Sequence, residues 1–152
     1  ARLLDMTIEP YLLSSVLNGV VAQRLARTIC QGCATKYYPV ETVLRDAELL
    51  EHSGRAFRKG RGCQQCHDTG CYGRSGIYQV MEVSPEMRRM IHRAAPTHEI
   101  RQKMCDLGGR TLRDEGVILA LSGKSSLEEI LRVTHSEDGS EAEDVVTGRQ
   151  VA

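Results

Sequence analysis

The chain has 152 residues, and its 20 basic and 20 acidic side chains give a formal net charge of zero. This length fits one domain or two small ones. The charge is uneven, since residues 136–152 carry −4 and the rest +4, but so small a positive excess is weak evidence for nucleic-acid binding, which needs a concentrated basic stripe. Aromatic residues make up only 4% of the chain, which predicts a small core, and no apolar run approaches the ~18 residues of a transmembrane helix.

The first predicted element is a helix over residues 10–29. Pro10 suits the first helical position, where its missing N–H costs nothing. Arg24 and Arg27 would lie near the helix C-terminus, where cations favour the dipole; we expect a solvated pair, the alternative being that they face a neighbouring subunit or an anion. Apolar residues recur at a spacing near 3.6, at Leu12, Leu13, Val16, Leu17, Val20, Val21, Leu25 and Ile29.

Two CxxC pairs follow. Cys30 and Cys33 form the first pair, Cys63 and Cys66 the second, and 29 residues separate the two. A CxxC turn can aim both sulfurs at one point, so two turns supply the four thiolates of a structural zinc ion. The insert exceeds the usual ~15–20 residues, but loop closure entropy grows only with the logarithm of length. These four cysteines are therefore the predicted zinc ligands.

Three other interpretations of the cysteines fit the sequence less well. Disulfides belong to oxidising compartments, and nothing in these residues reads as a signal peptide, so we expect a reducing compartment. A redox dithiol needs one CxxC in a βαβ context. The run Cys63-Gln64-Gln65-Cys66-His67 also matches c-type haem attachment, but that leaves the first CxxC pair without a role. We expect His67 to face solvent, Cys71 to be a spare ligand candidate, and Cys105 to be a small buried apolar group.

Inside and after the insert, the pattern changes from helix to strand. Residues 41–52 predict a helix on the outside of the insert, ended by Gly54. Gly70, Gly73 and Gly76 predict tight turns with positive φ. Residues 77–83 are rich in β-branched and aromatic side chains, which predicts a strand.

The remaining elements are predicted helices. Ser84 and Pro85 start a helix over residues 85–93, and another covers 97–107. Thr111 with Asp114, and Ser125 with Glu128, mark two further helix starts, the second as a capping box. Beyond His135 the composition of Ser, Gly, Glu and Asp predicts disorder.

No catalytic motif emerges from the chain. Gly123-Lys124-Ser125 resembles the end of a phosphate-binding loop, but the required glycine five residues earlier is Ile118, and the tripeptide joins two predicted helices. Paired carboxylates, a Ser-His-Asp set and HExxH are also missing. We expect no activity from this segment alone.

Several separated runs resemble the C-terminal part of the ATPases of type II secretion and type IV pilus assembly, and are most similar to the type II secretion ATPase. The resemblance covers about residues 1–134 and keeps the family's order. The matching runs are Leu3-Leu4-Asp5-Met6, Ile8-Glu9-Pro10-Tyr11-Leu12-Leu13-Ser14-Ser15, Gly19-Val20-Val21-Ala22-Gln23-Arg24-Leu25-Ala26-Arg27, Gly62-Cys63 with Cys66, Thr69-Gly70, Gly73-Arg74, Gly76-Ile77, Thr111-Leu112-Arg113-Asp114-Glu115-Gly116, and Leu127-Glu128-Glu129-Ile130-Leu131-Arg132-Val133-Thr134.

The resemblance implies an α+β, mainly helical fold. A small tetracysteine zinc subdomain (30–81) would be attached to the end of a RecA-like P-loop NTPase domain (1–29, its last strand and helix). A short helical C-terminal subdomain (82–134) and an acidic tail (135–152) would follow. The four CxxC cysteines would be the zinc ligands, and Cys71, where relatives have Tyr, would serve packing.

The resemblance also implies a function for the parent protein. It would be a cytoplasmic homo-hexamer at the inner-membrane face, bound to inner-membrane secretion proteins, and would power type II secretion by pseudopilus assembly. ATP and magnesium would bind upstream, so this chain would be a structural and partner-docking module and part of a longer protein. The alternatives are a type IV pilus ATPase and a zinc-ribbon nucleic-acid binder using Arg55, Arg58, Lys59, Arg61 and Arg74, although no nucleic acid is expected.

Overall fold

The computed structural model describes residues 6–134, which form an α+β fold. Within that range, two antiparallel ribbons are combined with six helices. The predicted disordered tail lies outside the described residues. The elements in chain order are α1 (Pro10–Val16), β1 (Gly19–Ile29), β2 (Ala34–Tyr37), α2 (Glu41–Asp46), β3 (Phe57–Gly60), β4 (Cys71–Glu82), α3 (Pro85–His92), α4 (Thr97–Asp106), α5 (Leu112–Leu121) and α6 (Leu127–Thr134).

The prediction of one helix over residues 10–29 is wrong. Helix α1 ends at Val16, and the following residues form the long strand β1. β1 pairs with β4 from Gly19 opposite Glu82 to Arg27 opposite Arg74, and the register shifts before Ile29. The β-branched residues of this segment suit a pleated strand. Pairing with β4 therefore decides the structure of these residues, although their apolar side chains recur at a helical spacing.

The second strand of this ribbon is longer than predicted. The strand expected over residues 77–83 is present, but β4 begins at Cys71. Gly73 and Gly76, expected in turns, therefore lie inside β4. Gly73 keeps a positive φ of 82° and lies near the register shift of β1.

The insert between the CxxC pairs folds back on itself. β2 pairs with β3, from Ala34 opposite Gly60 to Tyr37 opposite Phe57. The helix predicted over residues 41–52 is interrupted after α2, because Glu48 adopts a positive φ of 58°.

Helix α2 lies on the outside of the insert, as predicted, and buries only Leu44. It contributes to the main core together with β1, β3, α5 and α6, so the insert and the C-terminal helices share one buried cluster. A Cβ on Gly116 would lie 2.5 Å from Ile130 Cγ2, which shows how closely α5 and α6 approach. The buried members of the main core are Ala26, Leu44, Ala47, Leu49, Phe57, Ala120, Leu127 and Ile130.

A second, smaller core lies at the other end of the ribbon. Val83 packs there with Met87 of α3 and Met104 of α4. The predicted boundaries of the zinc subdomain, at residues 29/30 and 81/82, fall at the ends of β1 and β4. They remain a prediction, although the β1–β4 ribbon joins the segments on either side.

Two of the predicted helix starts have the expected caps. Ser84 Oγ accepts a hydrogen bond from the Met87 N–H (3.3 Å) at the start of α3. Thr111 and Asp114 form a capping box at the start of α5. Local hydrogen-bonding chemistry decides both starts.

The predicted capping pair Ser125–Glu128 is wrong by one residue. The Glu129 N–H donates to Ser126 Oγ (3.3 Å), so Ser126 is the hydroxyl that caps α6. Ser125 Oγ instead donates to the Arg27 carbonyl (2.8 Å), and the Glu128 carboxylate accepts from Tyr37 Oη (2.7 Å). Ser125 and Glu128 are engaged by β1 and β2, so Ser126 and not Ser125 caps α6.

A buried carboxylate joins α6 to β1. Glu129, with 3% of its side chain exposed, pairs with Arg27 at 2.8 Å and with Arg132 at 2.7 Å. Its Oε1 also accepts from the Arg27 backbone N–H (3.0 Å). The expectation that Arg27 is simply solvated is therefore wrong, whereas Arg24 is exposed.

Candidate metal centre

The structure brings the cysteines of the two CxxC turns together. The Sγ atoms of Cys30, Cys33, Cys63 and Cys66 all lie within 4.8 Å of one another. The Cys30–Cys63 and Cys33–Cys66 sulfurs are 3.8 Å apart, and the Cys63–Cys66 sulfurs are 3.7 Å apart. A tetrahedral ion with 2.3 Å zinc–sulfur bonds separates its ligands by about 3.8 Å, whereas disulfide sulfurs lie about 2.05 Å apart. The donor set and its spacing fit zinc and exclude disulfides among these four.

Strand ends and backbone hydrogen bonds position the two turns. Cys30 directly follows β1, and a short 3-10 turn, Gln31–Cys33, carries the second sulfur. Gln64–Cys66 repeats that geometry before β4. The Cys30 N–H donates to the Gly70 carbonyl (3.0 Å), and the Arg61 N–H donates to the Cys33 carbonyl (3.1 Å). The protein backbone therefore holds the two turns against each other.

Two glycines allow this close approach. A Cβ on Gly60 would lie 1.9 Å from the Gly70 carbonyl oxygen, and a Cβ on Gly70 would lie 2.5 Å from the Gly60 oxygen. Gly70 also has a φ of +70°, which favours glycine. This close crossing of two backbone segments was not predicted from the sequence, because the need for glycine at position 60 becomes apparent only when β3 is placed against the second CxxC turn.

The environment of the sulfurs determines when they carry charge. Burial raises the pKa of the Cys30 and Cys33 thiols, the latter to about 11. Burial acts in the same direction on Cys66, but backbone N–H groups of Cys63 and Gly70 lower its pKa to about 7. Only thiolates bind zinc, so a bound cation must displace the protons of Cys30 and Cys33.

The other histidine and cysteine side chains considered as metal ligands lie outside the four-cysteine cluster. His67 is exposed, as predicted. Cys71 is partly buried at the start of β4, where its N–H donates to Thr69 Oγ1 (3.3 Å). Cys105 is exposed, so its predicted burial is wrong; α4 buries the adjacent Met104 instead. Cys63 and Cys66 pack against the first CxxC pair, which argues against a haem thioether-bonded to them.

Sequence comparison gives the family. The model for "Type II/IV secretion system protein" matches residues 1–132. The chain belongs to this family. It is 38% identical over 136 residues to Type II secretion system protein E of Pseudomonas aeruginosa, covering 90% of this chain and 27% of that protein. It is 37% identical over 135 residues to Type IV pilus assembly ATPase PilB of Thermus thermophilus, covering 88% and 15%.

A third family member gives the same result. The chain is 35% identical over 133 residues to Type II secretion system ATPase E of Vibrio cholerae, covering 88% of this chain and 26% of that protein. The chain thus spans about a quarter of the length of its type II relatives. Within residues 6–134, none of the helices has the length and apolar character to cross a membrane.

Proposed function

We propose that this chain is the zinc-binding C-terminal region of a secretion ATPase that powers type II protein secretion through pseudopilus assembly. The single observation that carries the proposal is the set of four converging thiols, spaced like the ligands of a tetrahedral zinc ion. The relatives named as type II secretion ATPases support the assignment to a secretion motor.

The proposed role of the ion is structural. Cys30 and Cys33 follow β1, and Cys63 and Cys66 precede β4, so all four would fasten the β2–β3 insert to the β1–β4 ribbon. Four protein ligands leave no open position for a substrate, as in structural zinc sites. Such sites stabilise small domains by on the order of 10 kcal/mol. When bound, zinc supplies cross-linking of these segments and no reaction chemistry.

The proposed mechanism is mechanical. The zinc-stiffened insert would transmit ATP-driven motion of a RecA-like core to an inner-membrane partner or to the next protomer of a homo-hexamer. Gly123-Lys124-Ser125 connects α5 to α6, and Gly123 takes a positive φ of 73° there. This loop has the structural role of a helix end, so ATP and magnesium would bind upstream in the parent, at the cytoplasmic side of the inner membrane.

One observation favours a second candidate within the same family. The Thermus type IV pilus ATPase matches at nearly the same identity as the type II proteins, so a pilus assembly motor is the alternative.

The nucleic-acid alternative is weaker. Lys59 Nζ lies 4.7 Å from the Tyr37 ring centroid. The aliphatic part of the Arg58 side chain lies against Gly123, because a Cβ built on Gly123 would be 2.7 Å from Arg58 Cδ. At least two of the five basic residues are thus engaged with their own chain.

Substitution in the full-length parent tests the proposal. Cys63→Ser should abolish type II secretion and lower the ATPase activity of the assembled motor, while Cys105→Ser, at an exposed cysteine outside the cluster, should leave both unchanged. Loss of surface pili with intact secretion would instead identify the pilus motor. Normal secretion and piliation with Cys63→Ser would contradict a role for the metal site.

A further inference from the structure

Three arginines from three different elements line one open cleft. Arg27 comes from β1, Arg74 from β4 and Arg132 from α6. The cleft has a volume of about 530 Å³ and lies at the start of β4, outside the sulfur cluster. Its other lining residues are Leu25, Thr69, Cys71 and Gly73.

Two of the three guanidinium groups are fixed in place. Arg27 donates through Nε (3.0 Å) and Nη2 (2.8 Å) to the Glu129 carboxylate, and Arg132 donates through Nε (3.0 Å) and Nη2 (2.7 Å) to the same group. Glu129 is nearly fully buried, while half of the Arg27 side chain and 60% of the Arg132 side chain remain exposed. One carboxylate therefore orients two guanidinium groups that still face solvent.

The third arginine increases an unbalanced positive charge. Arg74 stands directly opposite Arg27 in the β1–β4 ladder, a like-charge pairing that destabilises a sheet. Among the described residues, Arg74 is exposed and has no carboxylate within ion-pair distance. Within residues 6–134, three guanidinium groups thus meet one carboxylate, and these four side chains carry a net charge of +2.

From this arrangement we infer an anion-binding site in the arginine cleft, specific for a soluble phosphate-bearing compound. Guanidinium groups match phosphate oxygens in two-pronged hydrogen bonds, and groups that are already oriented lose little entropy on binding. The volume falls in the range of small-molecule sites. The bound anion would also relieve the repulsion between Arg27 and Arg74.

Titration of this chain, with its metal bound, with pyrophosphate at low ionic strength tests this inference, because the nucleotide site of the parent protein would also bind pyrophosphate. Isothermal titration calorimetry should show saturable binding that weakens as NaCl is added, because salt screens exposed charges. Arg74→Gln should weaken binding about tenfold, the equivalent of one charge-assisted contact. Arg24→Gln, which removes an exposed arginine of β1 that does not line the cleft, should leave the affinity within twofold of the original.

Cys71 provides a second readout inside the cleft. Its alkylation by neutral iodoacetamide, followed peptide by peptide, should slow as pyrophosphate is added, while alkylation of the exposed Cys105 should not change. Absence of saturable pyrophosphate binding, or equal losses in Arg74→Gln and Arg24→Gln, would overturn the inference. So would co-sedimentation with anionic phosphatidylglycerol vesicles in the absence of pyrophosphate binding, since that result would assign the arginines to a membrane surface.

Discussion

Replacing Glu129 by Gln removes one buried charge and keeps the shape of the side chain. The carboxylate is nearly inaccessible, and it accepts hydrogen bonds from both the Arg27 and Arg132 guanidinium groups and from the Arg27 backbone. Burial by itself would favour the neutral acid, but these donors lower the pKa of Glu129 from 4.5 to about 2. At about 1.4 kcal/mol per pKa unit, this difference corresponds to at most about 3.5 kcal/mol of stability, and the half-exposed arginines reduce the expected loss to about 2–3 kcal/mol.

The direction of the pH dependence follows from the lowered pKa. A carboxyl group whose pKa falls on folding stabilises the protein fully above its unfolded pKa of 4.5, and this contribution disappears as the pH falls toward 2. The assay is urea unfolding of both proteins at pH 7 and at steps down to pH 3. The stability difference between them should be about 2–3 kcal/mol at pH 7 and should narrow below pH 4.5; comparing the two proteins at each pH cancels any shared loss of metal.

Glu41→Gln is the matched control for Glu129→Gln. Glu41 pairs with Arg45 four residues on, and both side chains are largely exposed, so its removal should cost no more than about 0.5 kcal/mol. A Glu129→Gln protein within 0.5 kcal/mol of the original at pH 7, or a difference that stays constant on acidification, would refute the reasoning about the buried carboxylate.

Three further predictions concern the site and the core. Gly70→Ala should abolish metal retention after gel filtration, because its Cβ would meet the Gly60 backbone; full retention would contradict the crossing. Leu127→Ala should destabilise the protein by about 2.5–5 kcal/mol in urea, since Leu127 is 0% exposed, whereas Leu107→Ala at a half-exposed position should cost little; equal effects would contradict the assigned core. Zinc uptake at pH 7 should release at least two protons, measured with a pH indicator, because burial raises the pKa of Cys30 and Cys33; release of fewer would contradict buried, neutral thiols.

Signals confined to a few neighbouring residues predicted the structure well. Each CxxC turn is local, and two of them identified the four sulfurs that the structure brings together, although their role as zinc ligands remains a prediction. The caps of α3 and α5 depend on residues three positions apart and were also found. In both cases the interacting groups are close in the sequence.

Features that depend on distant partners were missed or wrongly assigned. The apolar residues of β1 satisfy a helical spacing as well as a strand, and only β4, far along the chain, decides between them. Ser126 rather than Ser125 caps α6 because β1 engages Ser125. The Arg27–Glu129 pair joins residues 102 positions apart, and no local pattern could have indicated it.

X-ray absorption at the zinc K-edge, combined with the metal content of the purified protein, tests the central claim most directly. The account predicts one zinc per chain with four sulfur neighbours at about 2.3 Å, and loss of that signal in Cys63→Ser but not in Cys105→Ser. Protein with no bound zinc and four reactive thiols in the cluster, or zinc with nitrogen neighbours in its first shell, would contradict it.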